Sequence, residues 1–143
     1  MADKKRILVV DDEEDVCTYL SRLFQENGFA AACAGDGDQA LAAVEKEKPD
    51  LITLDLSMPQ TTGVKFYRIL KSRPDLSAIP VVLVTGITGI GGSRDTEHFY
   101  SHQKQVPPPD GFIGKPIDPE EMLALARRLT TEPSGASTAA GRP

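Results

Sequence analysis

The chain has 143 residues, a formal net charge of -5 and two cysteines without C-x-x-C spacing. A chain of this length can bury a full apolar core as one domain, so it needs neither a disulfide nor a structural metal to fold. The acidic balance argues against direct nucleic-acid binding, and the sequence contains no secretory signal or membrane-length apolar stretch. We therefore expect a reduced, cytoplasmic protein that does not contact a membrane.

Short apolar runs alternate with helical patterns through the first half of the chain. Buried strands are predicted at residues 7–10 and 51–54, and a short, Ala-rich strand is predicted at residues 29–33. Helices are predicted at residues 14–27 and, after the capping residue Asp36, up to residue 47. The first strand stops at Asp11-Asp12, and the third stops at Asp55. The inward face of the first helix is expected to comprise Val16, Tyr19, Leu20, Leu23 and Phe24.

The second half continues the alternation with weaker signals in one segment. It predicts a helix that follows Gly63 and runs to about residue 72, a strand at residues 81–84 and a short strand at residues 111–114. These strands end on Thr85 and Lys115, and Asp118 caps a last helix. Residues 93–106, which follow a glycine-rich stretch, predict only a short, weakly anchored helix. We expect a single domain over residues 5–130, followed by a disordered tail or linker remnant at residues 131–143.

The strand ends carry the chemistry of this sequence. Alternating β and α units predict an α/β fold with a parallel, doubly wound sheet, and such sheets bind ligands at the carboxyl ends of their strands. Asp11, Asp12, Asp55, Thr85 and Lys115 would meet at that edge. Neighbouring acids repel one another unless a divalent cation such as Mg²⁺ lies among them. An Asp can accept a phosphoryl group as an acyl phosphate, while a lysine and a hydroxyl compensate the charge of the phosphoryl oxygens.

These motifs resemble those of a response-regulator receiver domain of bacterial two-component signalling, as in the chemotaxis regulators. The matching stretches are RILVVDDEEDV, DGDQAL, LDLSMPQTTG, VVLVTG and FIGKPID, which run in this order from about residue 5 to residue 129. The resemblance implies a flavodoxin-like (βα)5 fold with strand order 2-1-3-4-5. It also implies a signalling domain that catalyses only its own phosphorylation and dephosphorylation, and is not otherwise an enzyme.

The resemblance further implies a role for each acid of the site. Asp55 would be phosphorylated by a sensor histidine kinase or a histidine phosphotransfer protein. Asp12 and Asp55 would bind Mg²⁺ directly, with the main-chain carbonyl of Ser57 as a third protein ligand and Asp11 acting mostly through water. Mn²⁺ would be able to replace Mg²⁺.

A second group of residues is implied in charge compensation and switching. Lys115 would pair with the phosphoryl group, and the Lys115-Pro116 peptide bond is expected to be cis. Thr85 would move toward the phosphate and Phe112 would rotate inward, so that phosphorylation shifts the balance between two states of a protein-interaction surface. The downstream protein is not identified by the sequence. The sequence does not decide whether the protein forms a homodimer, because the segment between Thr85 and Lys115 is longer than in typical receivers.

Three alternatives accompany this interpretation. A receiver that does not switch could serve as an interaction scaffold. A small phosphohydrolase of the haloacid-dehalogenase type also uses an Asp nucleophile with Mg²⁺, but Ser57 stands where that family has a second Asp. A flavodoxin would need a phosphate-binding loop after the first strand, where residues 11–15 would repel phosphate.

Overall fold

Five parallel strands and four helices make up the described part of the chain, which in this computed structural model comprises residues 4–55, 62–85 and 109–131. The strands are β1 (Arg6–Val10), β2 (Ala30–Ala34), β3 (Leu51–Asp55), β4 (Val81–Thr85) and β5 (Gly111–Gly114). The helices are α1 (Glu14–Glu26), α2 (Gly37–Lys46), α3 (Thr62–Ser72) and α4 (Pro119–Thr131). None of the helices within these described ranges has the length and apolar character needed to cross a membrane.

The strands lie in the order β2-β1-β3-β4-β5, and every neighbouring pair is parallel. This result confirms the predicted flavodoxin-like α/β fold. The chain leaves β1 toward β2 on one side and later returns to β3 on the other, so the topological switch point lies between β1 and β3. Because Asp55 pairs with Val84 and Thr85 pairs with Gly114, the strands end almost level with one another.

Apolar side chains cover both faces of the sheet, because successive strand residues point to opposite sides. Ile7 and Val9 pack with α1 and α4, whereas Leu8 and Val10 pack with α2 and α3. Strands buried on both faces carry almost continuous apolar sequence, which is why the runs were recognisable. The two apolar layers fix the strands and thereby the positions of the residues at their ends.

Local signals for helix ends are also confirmed. The Asp36 side chain accepts a hydrogen bond of 2.8 Å from the main-chain N–H of Gln39, and the Asp118 side chain accepts one of 3.0 Å from the N–H of Glu120. Gly28 follows α1 with a φ of 94°, a left-handed conformation that glycine adopts without steric cost. These contacts mark helix starts and ends that agree with the predicted boundaries to within one or two residues.

Several sequence predictions need correction. Tyr19 is 44% exposed and is not part of the core face of α1, where Cys17 is buried instead. Strand β2 lies one residue later than predicted, and the last helix includes Thr131. The glycine-rich stretch, the helix predicted at residues 93–106 and residues 132–143 lie outside the described residues.

Candidate functional site

Three charged segments converge at the carboxyl edge of the sheet. Asp11 directly follows β1, Asp55 is the last residue of β3, and Lys115 directly follows β5. Parallel pairing brings these ends to one edge although Asp55 and Lys115 are 60 positions apart in the chain. The site therefore depends on strand order and register.

The acids form a compact cluster of oxygen donors. One carboxylate oxygen each from Asp11, Asp12 and Asp55 lies within 4.8 Å of the others. Asp11 and Asp55 are 3% and 1% exposed, whereas Asp12 is open to solvent. Hard divalent cations such as Mg²⁺ prefer oxygen ligands, retain several waters and need few carboxylates. An all-oxygen cluster with one open side fits such an ion.

Lys115 supplies a positive charge beside the acids. Its Nζ lies 3.3 Å from Oδ2 of Asp55 and 3.6 Å from Oδ2 of Asp11. Burial alone would lower the pKa of Lys115, but the two carboxylates outweigh it and raise the pKa above its usual value. The side chain is therefore a fixed cation beside Asp55 at physiological pH.

Asp11 is held by its own main chain and by β2. The Glu13 N–H donates a hydrogen bond of 2.9 Å to Oδ1 of Asp11, and the Asp11 N–H donates one of 3.0 Å to the Ala34 carbonyl. Burial, with a further contribution from the Asp55 charge, raises the pKa of Asp11 to about 6 against the opposing effects of the Glu13 N–H and Lys115. These supporting contacts were not predicted from the sequence, although an Asp at a strand end commonly accepts a hydrogen bond from the N–H two residues further on.

The remaining predicted site residues divide into three cases. The main chain of Thr85 lies at the end of β4 opposite Gly114, but its side chain is outside the described part of the structure. Ser57 also lies outside the described residues. Phe112 is 40% exposed, and the Lys115-Pro116 peptide bond is cis as predicted.

Comparison with known proteins identifies the family. Residues 7–127 match the family model of the response regulator receiver domain. The protein Rrf1 of Nitratidesulfovibrio vulgaris is 37% identical over 131 residues, which cover 91% of this chain and 86% of Rrf1. The DNA-binding response regulator MtrA of Mycobacterium tuberculosis is 36% identical over 124 residues, which cover 87% of this chain and 50% of MtrA. The chain thus spans about half the length of MtrA.

Solved structures show the same architecture. The chemotaxis protein CheY4 of Vibrio cholerae has a TM-score of 0.73 at 25% identity, with 89% of this chain and 99% of CheY4 covered. The signal receiver domain of a histidine kinase from Syntrophus aciditrophicus has a TM-score of 0.75 at 27% identity, with 97% of each chain covered. The fold and the acidic edge therefore define an α/β signalling domain of two-component systems. The chain belongs to the response regulator receiver domain family.

Membership of this family has direct consequences for the alternatives. The chain is a signalling domain rather than a metabolic enzyme, and its family implies a histidine kinase or phosphotransfer partner. The haloacid-dehalogenase and flavodoxin interpretations are therefore not supported. Receiver domains generally bind Mg²⁺ at an acidic pocket, and Asp11, Asp12 and Asp55 form a group of acids in this chain.

Proposed function

We propose that Asp55 accepts a phosphoryl group from the phosphohistidine of a sensor kinase or a phosphotransfer protein. The observation that supports this most directly is the position of the Lys115 ammonium, 3.3 Å from a buried Asp55 carboxylate in a cluster of three acids. A lysine that only neutralised a surface acid would not need two buried carboxylates as partners. The arrangement suits a nucleophile that must lie beside a fixed positive charge.

The transfer uses an oxygen of the Asp55 carboxylate as the nucleophile. This oxygen attacks phosphorus, the O–P bond forms as the P–N bond of the donor breaks, and the donor imidazole leaves with the electron pair of that bond. Lys115 compensates the negative charge on the phosphoryl oxygens, and the hydroxyl of Thr85 donates a hydrogen bond to one of them. The protein contributes positioning and charge compensation, which are the main requirements of phosphoryl transfer.

Mg²⁺ completes the proposed site. Asp12 and Asp55 would hold it directly, the main-chain carbonyl of Ser57 would be the third protein ligand, and Asp11 would act mostly through water. When bound, the ion neutralises the repulsion among the acids and the charge of the incoming phosphoryl group. Mn²⁺ has similar oxygen preferences and is expected to replace it.

Phosphorylation then changes a surface that a downstream protein recognises. We propose that Thr85 and Phe112 respond to the phosphoryl group, with Phe112 losing the 40% exposure that it has here. Contacts that exist only with the phosphoryl group would favour the second state, which is the requirement for a population shift. The partner is a protein or a second copy of the chain.

The proposed unit is a receiver domain over residues 5–130, with residues 131–143 as a tail or linker. The family match to residues 7–127 supports this division, although α4 runs one residue past the proposed boundary, to Thr131. A cytoplasmic location belongs to the same proposal, and the unpaired state of Cys17 and Cys33 suits a reducing compartment.

The test is modification by a small phosphodonor. The full chain is incubated with acetyl phosphate and Mg²⁺, and intact mass is measured for the wild type, Asp55→Asn and the matched control Asp38→Asn. Asp38 is an exposed acid in the first turn of α2, so its variant changes the same charge outside the site. We expect a gain of about 80 Da in the wild type and in Asp38→Asn, and none in Asp55→Asn.

The same experiment separates the switching receiver from the scaffold alternative. If a folded wild type gains no mass with acetyl phosphate or phosphoramidate, the proposed phosphorylation is contradicted and the non-switching scaffold is favoured. Circular dichroism of each variant before treatment establishes that lost modification is not lost folding.

A further inference from the structure

The two cysteines of the chain lie side by side on one face of the sheet. Cys33 in β2 pairs with Val9 in β1, and directly paired residues of parallel strands point to the same face. Cys17 in α1 packs on that face, with its Sγ 3.9 Å from the Val9 carbonyl. Their juxtaposition therefore follows from helix packing and strand register, although 16 positions separate them in the chain.

Contacts of the two sulfur atoms support this placement. The Oγ of Ser21, one helical turn after Cys17, lies 3.1 Å from Sγ of Cys33. Residues four apart lie on one helix face, so the side chain of Cys17 neighbours that of Ser21. Burial, with a further contribution from the neighbouring Cys33 thiol, raises the pKa of Cys17 to about 12. Both cysteines are unpaired in this structure, and they differ in access because Cys33 is exposed whereas Cys17 is 7% exposed.

We propose that Cys17 and Cys33 form an oxidisable pair that closes to an intramolecular disulfide when a hydroperoxide reaches Cys33. An exposed sulfur beside a buried second sulfur matches the arrangement in which one cysteine is oxidised first and the other resolves it. The Ser21 hydroxyl is positioned to donate a hydrogen bond to the Cys33 thiolate that begins the reaction. This modification site does not depend on phosphorylation of Asp55.

The reaction proceeds in two balanced steps. The Cys33 thiolate attacks one peroxide oxygen, the O–O bond breaks, and a sulfenic acid forms with release of the first water, which carries the thiol proton. The sulfur of Cys17 then attacks the sulfur of Cys33, the S–O bond breaks, and the second water leaves with the proton of Cys17. The two sulfurs are oxidised together, and the hydroperoxide is reduced to two waters, or to water and an alcohol.

The disulfide would tie together the two segments that hold the main chain of Asp11. Ala34, next to Cys33, accepts the Asp11 N–H at 3.0 Å, and Sγ of Cys17 lies 3.7 Å from the Asp11 carbonyl. Oxidation would join α1 to β2 around this residue and would replace the weak S–H contact to its carbonyl. Oxidation of the cysteine pair would therefore alter the main-chain surroundings of Asp11 at the acidic edge of the sheet.

Intact-mass analysis of the full chain tests the proposal. The reduced protein is treated with hydrogen peroxide and quenched, and we expect a mass loss of about 2 Da that dithiothreitol reverses. Non-reducing peptide mapping should recover the peptides of Cys17 and Cys33 as one linked species. Cys17→Ala and Cys33→Ser should each lose this product, and Cys17→Ala should instead gain about 16 to 48 Da at Cys33.

Two outcomes would overturn the proposal. One is oxygen addition at Cys33 of the wild type without the linked peptide. The other is a disulfide formed only between two molecules, detected as a dimer on a non-reducing gel. Because buried Cys17 is a core position, a second measurement uses the wild type alone: peroxide pretreatment should protect Cys33 from N-ethylmaleimide, and dithiothreitol should restore labelling. Persistent labelling after peroxide would contradict the disulfide.

Discussion

The two edges of the sheet carry similar charged side chains in different surroundings. At the amino edge, Arg6 pairs with Glu47 at 2.5 Å, and the two side chains are 32% and 64% exposed. At the carboxyl edge, Lys115 pairs with Asp11 and Asp55, whose side chains are 2% and 1% exposed. Exposed pairs contribute about 0 to 1 kcal/mol to stability, whereas buried charges require specific compensation.

This difference in burial indicates that the carboxyl edge of the sheet is the one suited to a functional site. The charged groups at the amino edge remain hydrated whether or not they form an ion pair, which is typical of an ordinary solvated protein surface. Within the described ranges, the acids of the carboxyl edge lie close enough to repel one another when no metal is bound, and this repulsion opposes stability. A cluster that opposes stability is explained by what it binds or reacts with.

The largest expected contrast comes from removing one cation at each edge. Lys115→Met leaves two buried carboxylates without their ammonium partner, and we expect it to lower the free energy of unfolding by about 2 to 4 kcal/mol. Arg6→Met removes an exposed partner and should cost less than about 1 kcal/mol. Urea unfolding at pH 7 in EDTA measures both. Equal losses in the two variants would remove the distinction between the edges.

The second prediction concerns pH. Burial raises the pKa of Asp11 to about 6, so the folded protein binds more protons than the unfolded chain between about pH 4 and 6. Stability should therefore fall as pH rises through this window, by an amount of order 1 to 3 kcal/mol in metal-free protein. Asp11→Asn should lack this contribution. The free energy of unfolding of Asp11→Asn minus that of the wild type should increase with pH across this window. A difference that stays constant would refute the prediction.

The smallest contrast uses the same substitution at both edges. Asp55→Asn removes one charge from a crowded, buried cluster while Lys115 keeps Asp11 as a partner at 3.6 Å. We expect it to stabilise the metal-free protein by about 1 kcal/mol. Asp50 at the amino edge accepts a hydrogen bond of 2.8 Å from the Arg6 N–H, so Asp50→Asn should destabilise by about 0.5 kcal/mol. Melting curves in EDTA would show whether the signs are opposite, as expected.

Much of the fold could be predicted because the strand signals are continuous and local. Buried strands give uninterrupted apolar runs, and caps such as Asp36 act within three residues. The prediction of which residues form the buried face of α1 was less accurate. At about 100° of rotation per residue, Cys17 lies about 60° from Leu20 around the helix axis, whereas Tyr19 lies about 100° from Leu20. The angle around the helix therefore favours Cys17 as the buried residue, whereas the larger apolar area of tyrosine favoured Tyr19 in the prediction.

The grouping of Asp11, Asp55 and Lys115 at one edge could be predicted because each of them lies at or just after the end of a strand. The sequence could not give the 3.3 Å separation of Lys115 and Asp55, since it depends on the register of β3, β4 and β5. The support of Asp11 by the Ala34 carbonyl likewise depends on the pairing of β1 with β2. Such contacts join distant segments and have no local pattern.

The most direct test of the central claim combines metal dependence with the position of the phosphate. The wild type is incubated with acetyl phosphate in Mg²⁺ or in EDTA, the acyl phosphate is reduced with borohydride, and the modified residue is located by peptide mapping. We predict modification at Asp55, with at least about tenfold more product in Mg²⁺ than in EDTA. Modification at another residue, or equal yields in Mg²⁺ and EDTA, would contradict the assignment of the buried acids to Mg²⁺-dependent phosphoryl transfer.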